Sequence, residues 1–128
     1  MNWYIITAGL IAIATTGGHF AVGSKQFLKP MLGASFDPIP KAVMHCVFHY
    51  VSTYLILSTI TLLLIGLNIY SGPGSSAVVK FIAANYVVFA IWQIVLAIAS
   101  DIPNGIFKLF QWIFFVLIAL FSFFGTGL

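Results

Sequence analysis

The sequence predicts an all-α integral membrane protein: an antiparallel bundle of four transmembrane helices, with both termini on the same, non-cytoplasmic side. Three observations predict it. The chain is 62% hydrophobic and 5% charged, with a mean hydropathy of +1.14, far from the mix of a soluble globular domain. It holds four apolar segments long enough for a hydrocarbon core of about 30 Å, which needs about 20 helical residues. The links between them are rich in Gly, Pro and small polar residues. A soluble reading fails because four such segments would have to be buried together with almost no charged surface to keep the protein dispersed.

The first span covers about residues 3–22 and opens with Trp3 and Tyr4, amphipathic rings that favour the membrane interface. No basic segment precedes it, and Lys25 and Lys29 follow it, so it reads as a retained helix instead of a signal peptide. Residues 23–41 form the longest connection, with K-Q-F-L-K-P-M-L and F-D-P-I-P-K. Phe27, Leu28, Met31 and Leu32 alternate there with lysines, which predicts a loop in the headgroup zone.

The second span covers about residues 42–70 and ends at the interfacial Tyr70. S-G-P-G-S-S at 71–76 is a helix-breaking link, so the second and third spans form an antiparallel hairpin. The third covers about residues 77–100, and D-I-P-N-G at 101–105 turns the chain again. The fourth, about residues 107–125, places Trp112 near the opposite membrane face and is a bulky, almost wholly apolar run that faces lipid or a partner helix. The whole of 1–128 is one domain. The halves share neither spacing nor polar pattern, which argues against an inverted-repeat transporter within one chain.

The charge of +3 comes from five lysines against Asp37 and Asp101. Lys25, Lys29, Lys41 and Lys108 fall in the connections after the first and third spans, whereas Lys80 alone follows the other link. The positive-inside rule places the first group in the cytoplasm. This pattern orients a chain in a bilayer and gives no footing for nucleic acid. Cys46 is the single cysteine and makes no internal disulfide; about 100° from His45, it reads as a small apolar filler.

The polar residues carry the functional reading. His45 and His49 stand about 40° and 6 Å apart on one helix face, followed by Ser52, Ile56, Thr59 and Leu63. His19 ends the first span on a stripe with Ala8, Ala12 and Thr15, at a depth similar to His45. The third span brings Gln93 and Ser100 to that level, with Asp101 at its end, and the fourth leaves it with Gln111. Ser52, Gln93, Ser100, Asp101 and Gln111 therefore line an expected cytoplasmic-side pocket around His19, His45 and His49.

Such a set admits several chemistries. Three neutral imidazoles can converge on a metal ion. Two histidines from different helices can clamp a haem axially, with His45 and His49 competing for one role because neighbours on one face cannot reach opposite sides of the iron. Imidazoles with Asp101 and water can relay protons. Beside these stands a plain structural reading, in which the histidines bond Ser, Thr or Gln across helices and Gln93 and Gln111 do the same. H-x-x-x-H without the intervening glutamate lacks the zinc-protease pattern. No nucleophile–base pair, phosphate loop or carboxylate dyad supports an enzyme.

G-G-H-F at 17–20, K-P-M-L at 29–32, P-I-P-K at 38–41 and H-C-V-F-H at 45–49 together resemble a group of small, uncharacterised bacterial four-helix membrane proteins. These have a Gly-His at the end of helix 1 and a histidine pair opening helix 2. The resemblance covers the first half of the chain and implies an inner-membrane location and a focus on His19, His45 and His49. It implies no activity, substrate or cofactor. The expectation is a non-enzymatic membrane protein in a homo-oligomer or larger complex, whose histidines bind a metal ion or haem. The alternatives are an assembly subunit tied together by its histidines, and proton-linked or small-solute transport between protomers.

Overall fold

Asn2 supplies the first fixed point. Its side-chain oxygen accepts from the Ile5 backbone N–H at 3.3 Å, capping the first helix, while its Nδ2 donates to the Gly125 carbonyl at 2.6 Å. Its own backbone N–H donates to the Gly66 carbonyl at 2.8 Å. One residue thus joins the start of the chain to the ends of two other helices.

The computed structural model describes residues 1–127, which form helices and no strand. Helix α1 runs over Trp3–Gly33, α2 over Pro38–Gly66, α3 over Ser75–Ala99, the single turn α4 over Gly105–Lys108, and α5 over Trp112–Thr126. The first three are long and apolar enough to cross a membrane; the fourth apolar helix, α5, has 15 residues.

Helix α1 continues through residues 23–33, where the sequence predicts an interfacial loop. It is α-helical to Gly18, π-helical over His19–Leu28 and α-helical again from Lys29. The Lys29 N–H donates to the Ser24 carbonyl five residues back, the wide-turn pattern. Pro30 then enters in the first turn of a fresh α segment, where its missing N–H and its ring are tolerated. Only residues 34–37 separate α1 from α2, because Asp37 caps α2 by accepting from Ile39 N–H at 3.0 Å and Pro38 presets its first turn.

Helix α2 stops at Gly66, short of the expected Tyr70. Asn68 takes φ +64°, a left-handed conformation asparagine tolerates. The Ile69 N–H reaches back to the Leu64 carbonyl at 2.9 Å and the Asn68 N–H to Ile65 at 3.0 Å, closing a Schellman motif. The expected continuous fourth span is broken into α4 and α5, with residues 109–111 as a turn and the Trp112 indole donating to the Ile106 carbonyl at 3.0 Å.

The helices run alternately up and down. Helix α1 packs against α2 and α5, and α5 packs against α3. The backbones of α2 and α3 approach little; Tyr54 and Ser58 bridge them, with the Tyr86 hydroxyl 2.8 Å from Ser58 Oγ. Ser58 Oγ already donates to the Leu55 carbonyl, so Tyr86, fully buried, is the donor. The starts of α1 and α3 and the ends of α2 and α5 meet at one flush end, around a cavity of about 280 Å³ that includes Asn2, Ile65, Ser75 and Gly125. Both described chain ends lie there.

The buried positions of α1 include Ile5, Ala8, Ala12 and Thr15, a stripe at helical spacing made mostly of small residues. They let α2 and α5 come close. At Gly66 a Cβ would stand 2.9 Å from the Ile6 backbone nitrogen. Large apolar side chains point outward instead: Phe81 is 67% and Ile98 71% exposed, a distribution suited to lipid.

Gly66→Val should therefore cost about 1–3 kcal/mol, the range for overpacking a tight contact. A denaturant titration in detergent micelles checks this, and an unchanged midpoint would contradict the close approach of α1 and α2.

Candidate functional site

At the end opposite Asn2, the polar residues expected to form one pocket divide into separate sets. His19 stands on α1 where the π-helical segment begins. Its Nε2 lies 2.8 Å from Ser52 Oγ on α2. Ser52 Oγ donates to the Phe48 carbonyl at 2.9 Å, so His19 carries its proton on Nε2 and donates to Ser52. The imidazole also stacks on the Phe48 ring, with centroids 4.2 Å apart and planes 20° from parallel. Ser52 is 4% exposed; a buried hydroxyl with both its donor and acceptor roles used is satisfied.

His45 and His49 form the second set. Their Nε2 atoms are 3.2 Å apart, with His49 exposed and His45 half-buried. The Phe48 ring packs edge-on against His49 at 5.6 Å while its face is taken by His19, so Phe48 stands between His19 and the pair. The expected convergence of three imidazoles is not what forms. Among the described residues no group of three or more His, Cys, Asp and Glu is arranged to hold a metal ion. A haem held between His19 and either of the others would need the space Phe48 fills.

Helix geometry accounts for this. Looking along α2, Phe48 lies about 60° and Ser52 about 20° from His45, both on the side away from His49. Phe48 and Ser52 are buried, so the buried stripe is centred between them. His45 falls at its margin and His49 outside it. The single polar face read from the sequence is correct in angle, but the face turned to α1 is centred on Phe48, an apolar residue that a search for polar spacing passes over.

Gln93 and Gln111 form the third set. Gln93 Nε2 donates to Gln111 Oε1 at 2.6 Å, linking α3 to the turn before α5. Gln93 Oε1 is buried with no partner among the described residues. These two glutamines share a cleft of about 430 Å³ with His19, walled by Val51, Phe89, Trp92 and Phe115. A neighbouring cavity of about 250 Å³ lies between Thr15, His19, Phe110, Gln111 and Phe114. Part of the expected pocket is thus present, as His19 with Gln93 and Gln111. Ser100 and Asp101 do not join it: Ser100 Oγ turns back to the Ala97 carbonyl at 3.3 Å, and Asp101 is exposed beyond the end of α3. No hydrogen bond joins Asp101 to a histidine among the described residues, as a proton relay through it would require.

Changing His19 to Phe keeps a ring to stack on Phe48 and removes the bond to Ser52. In a double-mutant cycle with Ser52→Ala, unfolding in micelles should give a coupling of about 0.6 kcal/mol, with about 1.7 as an upper bound for such intramembrane bonds. Strictly additive effects would mean that the bond carries no stability.

No protein-family model matches the sequence, no curated protein matches it, and no solved structure matches it. Its geometry alone therefore directs the functional reading.

Proposed function

We propose that the chain is a four-span integral membrane protein of the bacterial inner membrane that acts as a non-enzymatic assembly or accessory subunit. Its helices are tied by side-chain hydrogen bonds, and its function lies in packing against further protein. The observation that carries this reading is the use made of the polar groups. His19 is spent on Ser52, Gln93 on Gln111 and Tyr86 on Ser58. Each tie joins parts of the chain that are far apart in sequence, and none presents an acid–base pair or nucleophile to a substrate.

Helix lengths support an oligomer or a larger complex. At 1.5 Å per residue the 15 residues of α5 span about 22 Å, against a core of about 30 Å. A short span is accommodated by thinning the bilayer or by protein packed beside it. The lysine distribution favours cytoplasmic placement of the end that carries His19. Lys25 and Lys29 on the continuation of α1, Lys41 in the first turn of α2 and Lys108 in α4 all belong to that end, and Lys80 to the other half of α3.

Extraction from native membranes in a mild detergent should yield a particle larger than one 14.0 kDa chain, either a homo-oligomer or a complex with other membrane proteins. Native mass spectrometry reads its composition. Release as a lone chain under conditions that preserve other membrane complexes would sink the assembly reading. The H19F change should loosen the particle, because it removes the tie between α1 and α2.

A further inference from the structure

The histidine pair is left over once the internal ties are counted. We propose that His45 and His49 form a two-imidazole chelate for a first-row divalent transition-metal ion, with His19 excluded and the remaining ligands drawn from water. This site is independent of the assembly reading above.

The distance between the ligand atoms is the first argument. Two nitrogens each about 2.0–2.1 Å from one ion are about 2.9 Å apart at a right angle and about 3.4 Å apart at the tetrahedral angle. The Nε2 atoms stand 3.2 Å apart on neighbouring turns of one rigid helix, with ring centroids 5.0 Å apart. Little rotation of either side chain is needed to aim both lone pairs at one ion.

The second argument is protonation. In the neutral pair, one ring donates its Nε2 proton to the Nε2 lone pair of the other. A cation needs both lone pairs, so that proton moves to Nδ1 of the same ring. Both Nε2 atoms are then free to bind, and the pair neither gains nor loses a proton. Of the two, His49 is exposed and His45 half-buried.

Surroundings supply the third. Lys41, one turn before His45, has its ammonium 5.5 Å from the centre of the Phe36 ring, a cation–π contact that occupies the charge nearest in sequence to the pair. Measured from the flush end at 1.5 Å per residue, His49 lies about 26 Å and His45 about 32 Å along α2. The pair thus straddles the level at which a helix leaves a core of about 30 Å, within reach of ions in water. Nitrogen ligands of this kind suit Zn²⁺, Cu²⁺ or Ni²⁺ over Mg²⁺ or Ca²⁺.

The test uses the full chain without an affinity tag, in detergent micelles, titrated with Zn²⁺ by calorimetry. Nitrogen hyperfine structure is read from bound Cu²⁺ by electron paramagnetic resonance. Wild type should bind one ion per chain, with two imidazole nitrogens at Cu²⁺. His45→Gln and His49→Gln should each weaken Zn²⁺ binding by about tenfold or more, since each removes half of the protein ligands. H19F should bind as wild type does. Circular dichroism confirms that each variant remains helical. Wild type without Zn²⁺ binding, affinity unchanged in both H45Q and H49Q, or an equal loss in H19F would each overturn the two-residue site. None of these outcomes bears on whether the chain is extracted as a complex.

Discussion

Three helices of this chain are long and apolar enough to cross a membrane, and for such helices burying Leu or Phe against a neighbour gains little over leaving it in lipid. Association then depends on how closely backbones approach and on which polar groups find each other. Both requirements meet at the flush end. Asn2 bonds the Gly66 and Gly125 carbonyls at the ends of α2 and α5, and the glycines at those positions let the helix ends come against Ile5 and Ile6. The Asn2 amide and the two carbonyls are part-buried between helix ends, where a polar group left unpaired costs free energy.

With that end fixed, the register of every other contact follows. Thr16 meets Thr59, His19 meets Ser52, and Gln93 meets Gln111, progressively farther from Asn2. The π-helical stretch starts at His19, the last residue of α1 with a polar partner on α2 among the described bonds. Beyond it α1 takes the wider turns of a π-helix, and its contacts with α2 become aromatic, as with Phe27 on Phe48. The polar seam ends where the regular helix ends.

Much of this was legible from residue order. Hydropathy gave the three long apolar helices, the Gly/Pro links gave the breaks between helices, and depth counting set His19 level with His45, whereas it meets Ser52, two turns further along α2. The stop at Asn68 and the helical course through Pro30 were not legible: the sequence carries the second span on to Tyr70 and predicts a loop over residues 23–41, because apolar composition continues past both points. The rotation of α2 was not legible. Periodicity shows which residues share a face, and on a helix apolar nearly all round it does not show which face meets a neighbour. Phe48 had no polar signature to mark it as the centre of the contact, so the three histidines read as one cluster when they are two.

That division has a physical logic of its own. An imidazole bonded through Nε2 to a buried serine and stacked on phenylalanine is held by two contacts and has little freedom to accept a ligand. Two imidazoles bonded only to each other keep the opposite properties: they are rigid in spacing because the helix fixes it, and their partner is the weakest to displace, a second neutral ring. A chain with 5% charged residues has few ways to present a ligating group at its surface without adding charge beside its long apolar helices. Neutral histidine is one of them, since it adds no fixed charge and still offers a lone pair. The same residue type therefore serves as an internal tie on α1 and as an outward-facing pair on α2, with the rotation of one helix deciding between the roles.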